Sequence, residues 1–174
     1  KNDPDLYKTD PSGNVIWSRG YGLSGLYRIK PNLEGGYFIC GNAGGGFVDP
    51  MYVAKIDSVG NVIWYKTFYN PHGETFTDIE PMSDSGVIAV TDYNGLYKIS
   101  LTGDSLWMKP INVPAQRLIT AHDGNILIAG GGMSLTKVDT SGNIIWSNLY
   151  WIYPAVVGVL GYEGWDVIET SDGG

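Results

Sequence analysis

The stretch Leu6-Tyr-Lys-Thr-Asp-Pro-Ser-Gly-Asn-Val-Ile-Trp17 indicates the fold of this chain, because the same phrase occurs three more times. The other copies are Val53-Ala-Lys-Ile-Asp-Ser-Val-Gly-Asn-Val-Ile-Trp64, Leu96-Tyr-Lys-Ile-Ser-Leu-Thr-Gly-Asp-Ser-Leu-Trp107 and Leu135-Thr-Lys-Val-Asp-Thr-Ser-Gly-Asn-Ile-Ile-Trp146. In every copy Lys precedes Asp or Ser by two residues, Gly follows that position by three, and Trp follows the Gly by four; only Ser100 breaks the Asp column. Such a strict register indicates a repeat architecture.

The spacing of the repeated Trp residues identifies the repeating unit. The Trp residues at positions 17, 64, 107 and 146 are 47, 43 and 39 residues apart. These intervals match one four-stranded blade of a β-propeller. Between the Trp copies lies a second phrase, two apolar runs around an acidic, glycine-rich turn, which is a hairpin signal. The unit is therefore strand A, tight turn, strand B, loop, strand C, Asp-x-x-Gly-Asn turn and strand D.

The predicted fold is all-β: a β-propeller of four-stranded antiparallel blades, about four in this segment, within a larger propeller. Residues 1–24 supply strands C and D of a first blade, and 25–68, 69–109 and 110–150 are full blades. Residues 151–174 form a loop and the first strand of the next blade. Since these ends do not make up one complete blade, we expect that the segment does not close a ring by itself and that further blades of the same polypeptide are its neighbours.

The phrases resemble the repeats of large secreted propellers from bacteria and archaea, whose blades carry Asp-Gly-Gly-Tyr followed by Lys-x-Asp-x-x-Gly-Asn-x-x-Trp. They are similar, more distantly, to the tryptophan-docking repeats of quinoprotein-type propellers. Here the Gly comes one residue earlier after the Asp, and no quinone-site residue can be matched. The resemblance implies a blade fold and an exported protein, often displayed at the cell surface, but no particular reaction and no cofactor.

Composition bounds the partners. A formal net charge of −7 opposes the counterion release that drives nucleic-acid binding. No apolar run approaches the roughly 20 residues of a membrane-spanning helix, so neither nucleic acid nor membrane insertion is expected. Cys40 lies in the apolar run Tyr37-Phe38-Ile39-Cys40 and is predicted to be a buried small hydrophobe; one cysteine leaves the redox compartment undetermined.

The repeated residues are interpreted as structural. A large flat ring in every blade suits blade-to-blade packing better than ligand stacking, so the four Trp side chains are expected to be largely buried at equivalent positions. The Asp and Gly columns could be mistaken for calcium loops, but they lack the alternating ligands and final bidentate Glu of an EF-hand. An Asp that binds its own turn, with Gly at positive φ, explains them without metal. The structural set is Trp17, Trp64, Trp107, Trp146, Gly13, Gly60, Gly103 and Gly142.

Catalytic and metal sites are not predicted. His72 and His122 lie in turn or loop contexts without metal-ligand spacing. Asp78 with Glu80, or Glu163 with Asp166, could form a glycosidase-like carboxylate pair, but ordinary surface carboxylates are favoured in so acidic a chain.

Binding is predicted on one face of the propeller, here called the loop face, where the D-to-A and B-to-C connections emerge. These connections differ between blades and include 19–24, 42–50, 69–75, 110–115 and 147–163. The last is long, aromatic and nearly uncharged, although it could instead fold back as core. Its predicted anchors are Trp151 and Tyr153, with Tyr150 and Tyr162 beside them.

The function predicted from sequence is a non-catalytic extracellular or cell-surface module that binds a protein, glycan or matrix component. The alternative is part of an extracellular polysaccharide-acting enzyme, with catalytic residues partly outside this segment.

Overall fold

The structure is a computed structural model, and it describes residues 5–23, 25–44, 49–69, 72–84, 86–150 and 165–172. Fourteen strands make up its regular structure, and no helix occurs in these ranges. The strands are β1 Leu6–Thr9, β2 Val15–Arg19, β3 Gly25–Pro31, β4 Tyr37–Asn42, β5 Met51–Ile56, β6 Val62–Phe68, β7 Phe76–Pro81, β8 Val87–Thr91, β9 Gly95–Ile99, β10 Ser105–Pro110, β11 Ala115–Thr120, β12 Ile126–Gly130, β13 Ser134–Val138 and β14 Ile144–Leu149. The described residues thus contain no helix that could cross a bilayer.

The strands form blades in chain order, as the repeat predicts. Three antiparallel four-stranded sheets have the orders β3-β4-β5-β6, β7-β8-β9-β10 and β11-β12-β13-β14, and β1 and β2 form a two-stranded sheet. Each full blade therefore runs from strand A to strand D without a crossover. The A strands β3, β7 and β11 contact one another in succession, which places them on the inner edge, and the D strands lie on the outer edge. The fold is a β-propeller.

The core lies between successive blades. Side chains on one face of β4 and β5, including Phe38 and Val53, pack against Phe76 and Val87 of the next blade. The opposite face of β8, with Ile88 and Val90, packs against the blade that follows. Because a middle strand is covered on both faces, its residues form a continuous apolar run rather than an alternating one; Cys40 is fully buried in such a run, as predicted.

The turn between strands C and D is held by its own Asp. Asp57 Oδ1 accepts hydrogen bonds from the backbone N–H groups of Val59 and Asn61, at 2.9 and 2.8 Å, and Asn61 Nδ2 donates to Oδ2. Asp10 and Asp139 make the same contacts. The glycine of this turn has φ near +84° at Gly60, which is the left-handed region open to glycine. The backbone thus uses the carboxylate oxygens that a calcium loop would need.

Three Trp residues of the repeat, Trp17, Trp64 and Trp107, pack on the glycine turn of the next blade. A Cβ atom built on Gly60 would lie 3.0 Å from the Trp17 ring, one on Gly103 would lie 2.9 Å from Trp64, and one on Gly142 would lie 2.6 Å from Trp107. The Trp64 indole N–H also donates to the carbonyl of Leu101 across this junction, at 2.8 Å. Small turn residues therefore make room for large rings, which is the basis of the register between blades.

The four repeat Trp side chains, Trp146 included, are mostly buried and keep a minor part of their surface toward solvent. One expectation differs from the structure. Residues 165–172, predicted as a lone strand A, form no strand within the described ranges. They are held instead by side chains, described below.

Candidate functional site

Each inner strand has a β-bulge at the same place. The register between strands A and B shifts between Leu26 and Arg28 in β3, between Phe76 and Asp78 in β7, and between Ala115 and Arg117 in β11. The bulged residues are Tyr27, Thr77 and Gln116, and Trp165 has the equivalent sequence position in the fourth repeat. A bulge redirects a side chain out of the regular pleat, and bulges are frequent beside functional sites.

The redirected side chains line one cavity of about 290 Å³ near the start of the A strands, on the loop face. We call it the channel-mouth cavity. Its lining consists of Tyr27, Arg28, Thr75, Thr77, Asp92, Gln116 and Trp165. Tyr27 is 47% exposed and Trp165 is 69% exposed, so both aromatic rings are accessible from solvent.

The polar groups of the cavity are anchored to backbone. Asp92 Oδ1 accepts the backbone N–H of Thr75 at 2.9 Å, and Asp92 N donates to the Thr75 carbonyl at 3.1 Å. The Thr77 hydroxyl donates to the carbonyl of Ala115 in the next blade, at 2.8 Å. Partial desolvation raises the pKa of Asp92. The cavity therefore has a fixed framework on which the aromatic rings and the Gln116 amide are carried.

Directly beneath the cavity, charges of alternating sign follow the four repeats. Arg28 Nε lies 3.4 Å from Asp78 Oδ1, Arg117 Nη1 lies 3.6 Å from Asp78 Oδ2, and Arg117 Nε lies 2.9 Å from Asp166 Oδ1. We call this series the inner charge ladder. Two residues further along the same strands, Lys30 Nζ and Glu80 Oε2 form a second ion pair at 2.7 Å. The ladder joins neighbouring blades where their inner strands converge.

Asp78 is the buried centre of this ladder. Its side chain has no solvent exposure, and burial raises the pKa of this carboxyl, although the N–H of Leu118 and the charges of Lys30 and Arg117 oppose that rise. The Leu118 N–H donates to Oδ2 at 3.0 Å. Asp78 and Glu80 are thus each held by cations rather than paired with each other as a glycosidase dyad. Glu163 lies outside the described residues, and Asp166 is bound to Arg117.

The two histidines have surface roles. The His72 ring stacks on Tyr93, with centroids 5.8 Å apart. His122 lies beside Glu169, where Nδ1 is 3.2 Å from Oε2 and the His122 backbone N–H also donates to that carboxylate. This contact, with the pairing of Arg117 and Asp166, holds residues 165–172 against β11. Among the described residues no three His, Cys, Asp or Glu side chains are grouped as metal ligands would be.

The predicted anchors of the last loop are mostly beyond the structural description. Trp151, Tyr153 and Tyr162 lie outside the described residues. Tyr150 is described: its side chain is 51% exposed, and its backbone N–H donates to the carbonyl of Met133 at 3.2 Å. It follows β14 at the outer edge of its blade, so it belongs to a different part of the molecule from the channel-mouth cavity.

A second cavity, of about 510 Å³, lies between the two-stranded sheet and the blade β3 to β6. Tyr21 and Leu23 line one side, and Ile39, Ala54 and Tyr65 line the other. Its lining continues the apolar surface that joins blades elsewhere, so we assign it to packing between blades.

The channel-mouth residues were not predicted, because no motif in the sequence marks them. The available signal is a contrast within the aligned A strands. Arg28, Asp78, Arg117 and Asp166 alternate in charge, whereas the preceding position changes from Tyr to Thr, Gln and Trp. A position that varies beside a patterned one is typical of residues that face a ligand rather than the scaffold.

Comparisons with known proteins support the fold alone. No protein-family model and no curated protein matches the sequence. Among solved structures, the chain is similar to a protein of unknown function from Bacteroides caccae, with a TM-score of 0.64 and 14% sequence identity. The match covers 83% of this chain and 53% of that one, so this chain spans about half the length of its structural neighbour.

Proposed function

We propose that this protein is a non-catalytic extracellular or cell-surface propeller module that binds a glycan, protein or matrix component through its loop face. The observation that supports this most directly is the channel-mouth cavity. A concave site with two accessible aromatic rings and a few anchored polar groups is the usual composition of a ligand pocket.

The state of the carboxylates favours binding over hydrolysis. A glycosidase needs two carboxyl groups across one bond, one of them a proton donor. Asp78 is enclosed by Arg28 and Arg117, and Glu80 is paired with Lys30. Their contacts assign both residues to the junction between blades, which speaks against the alternative of a polysaccharide-acting enzyme.

The rest of the proposal comes from the sequence. Export and display at the cell surface are what the resemblance to secreted propeller repeats implies. The long aromatic segment at 147–163 is predicted from the sequence to be a second contact region. If both regions bind, the module would hold a large partner at two points, and such linkage increases overall affinity.

A binding panel tests the proposed function. The intact chain would be passed over immobilised neutral polysaccharides, sulfated polysaccharides, collagen and fibronectin, and each soluble polymer would be assayed for new reducing ends or peptide fragments. We expect saturable binding to at least one class without cleavage. Release of new ends in proportion to the protein added, or binding to no class, would contradict the proposal.

The predicted loop anchors can be tested in the same panel. Changing Trp151 and Tyr153 together to Ala should weaken partner binding by at least about 2 kcal/mol with the fold intact, because aromatic anchors dominate many hot spots. Tyr7→Ala is a matched control, since Tyr7 is a 56% exposed aromatic in β1. Equal affinity of the double variant and the control would show that the loop is not the contact region.

A further inference from the structure

We infer that the channel-mouth cavity binds one neutral sugar residue of a glycan. This inference rests on the proposed function and narrows its ligand to one chemical class at one place. Four properties of the cavity carry it: exposed aromatic rings, unused hydrogen-bonding groups, balanced charge and size.

The aromatic rings provide apolar contact in an otherwise polar site. Tyr27 comes from the inner strand β3 and Trp165 from the segment 165–172 that lies against β11, and both remain accessible. Such side chains bury a large flat area and have few rotatable bonds, so ordering them costs little conformational entropy. A pyranose ring has a flat C–H face that packs on an aromatic ring. A fully polar ligand has no such face.

The hydrogen-bonding groups match hydroxyls. The Gln116 amide offers both a donor and an acceptor, and among the described residues no side-chain hydrogen bond to it is found. Asp92 uses Oδ1 for the Thr75 N–H, and its raised pKa reflects a partly desolvated carboxyl. A ligand hydroxyl can donate to Asp92 and exchange both kinds of hydrogen bond with Gln116, because a hydroxyl is donor and acceptor at once.

The charges of the cavity disfavour an ionic ligand. Asp92 repels an anion, and the Arg28 guanidinium repels a cation. Arg28 is also already engaged, since Asp78 lies beneath it at 3.4 Å. Like-charge contact is a common basis for rejecting the wrong ligand. One acidic and one basic group, the latter already paired with Asp78, leave the cavity without a net charge to attract a simple ion, so a neutral, hydroxyl-bearing ligand is compatible with it.

The size of the cavity suits a single ring. Its volume of about 290 Å³ is at the lower end of the roughly 300 to 1,000 Å³ of ligand pockets. A longer chain would extend beyond it, across the loop face. The cavity would therefore recognise one residue of a polymer, either terminal or internal.

The experiment is a titration with small sugars in which binding is measured by saturation-transfer NMR. The probes are the methyl glycosides of glucose, galactose and mannose and N-acetylglucosamine, with glucuronate and choline as charged comparators. We expect at least one neutral sugar to saturate with a dissociation constant of roughly 1 mM, the weak range for a single small ligand. Tyr27→Ala and Trp165→Ala should each weaken it about tenfold, the loss that defines an important contact.

Two further variants keep the inference testable if an aromatic variant is unstable. Gln116→Met keeps the size of the side chain but removes its hydrogen bonds, and should also weaken binding about tenfold. Tyr7→Ala, in β1 and outside the lining of the cavity, should bind as the parent does. Failure of every neutral sugar, tighter binding of glucuronate or choline, or equal affinity across all variants would overturn the inference.

These outcomes separate this inference from the proposed function. Capture of a protein or sulfated polymer by the intact chain, without any response to neutral sugars, would overturn the sugar site and leave the binding module standing. Sugar binding accompanied by cleavage would support the site and refute the non-catalytic proposal.

Discussion

At the scale of single residues, the repeated Lys of each full blade has a definite partner. Lys55 Nζ contacts Glu34 at 2.7 Å, Lys98 Nζ contacts Asp84 at 2.7 Å, and Lys137 Nζ contacts Asp123 at 2.8 Å. In each case Lys on strand C neutralises an acid in the A-to-B turn of its own blade. The Lys column thus stabilises the hairpin that carries the channel-mouth bulge, from the opposite end of the blade.

Asp123 gives a pH-dependent prediction at this scale. The hydrogen bond from Lys137, helped by Asn125, lowers the pKa of Asp123 to about 2 from a reference of 3.8. An acid with a lowered folded-state pKa adds stability above its unfolded pKa and loses it as pH falls through the folded one. The parent should therefore lose stability as pH falls from about 4 to 2, and Asp123→Asn should lose less over the same range. Urea unfolding midpoints measured across that window would check this.

A second variant guards that result. Lys137→Met removes the largest cause of the lowered pKa of Asp123, so its stability should also depend less on pH between about 4 and 2. Parallel curves for the parent and both variants would show that the ion pair carries no pH-dependent stability.

At the scale of strands, the inner charge ladder decides how blades meet. Asp78 has no solvent exposure and faces two arginines from neighbouring blades. Asp78→Ala should lower the free energy of unfolding by about 2 to 3 kcal/mol, because it leaves the buried N–H of Leu118 without its acceptor and Arg28 without its carboxylate. Equilibrium denaturation in urea would measure the loss.

Glu80→Ala is the matched control for Asp78→Ala. Glu80 lies on the same strand, pairs with Lys30 and keeps 19% of its side chain exposed. More exposed pairs contribute about 1 kcal/mol or less, so its loss should be much smaller. Equal losses would mean that the ladder has no special role between blades.

The strands also show what could be predicted from sequence. The repeat determines the order of strands A to D because its turn residues are local: Asp57 and Asn61 bind one another within five residues. The bulges at Tyr27, Thr77 and Gln116 could not be predicted, since a bulge depends on the partner strand and leaves no turn signature. The pairing of Arg28 with Asp78 spans fifty residues and depends on how blades stack.

At the scale of the whole molecule, the Trp rings link successive blades. Trp64 lies on Gly103 and donates to Leu101. Trp64→Ala should therefore cost about 2 to 3 kcal/mol, below the usual range for a fully buried Trp. Thermal and urea unfolding of this variant and the parent would measure the loss, and unchanged stability would argue against docking.

A Trp ring seated on the glycine turn of the next blade holds the blades in register and so assembles the channel mouth. Gly142 and Gly13 make a matched pair for it, with φ of +78° and +84°. A Cβ at Gly142 would lie 2.6 Å from Trp107, whereas one at Gly13 would meet nothing within 4 Å. The backbone cost of Ala is thus the same at both positions, and only Gly142 adds a collision with the ring.

The most direct measurement is the free energy of unfolding for Gly13→Ala, Gly142→Ala, Trp107→Ala and the Trp107→Ala/Gly142→Ala double variant. We predict that Gly13→Ala costs about 1 to 2 kcal/mol, the penalty of a positive φ, and that Gly142→Ala costs clearly more. In the Trp107→Ala background the cost of Gly142→Ala should fall to the Gly13 value, because the ring that collides is gone. Equal costs for the two glycines in the parent, or an unchanged cost for Gly142→Ala without Trp107, would contradict the claim.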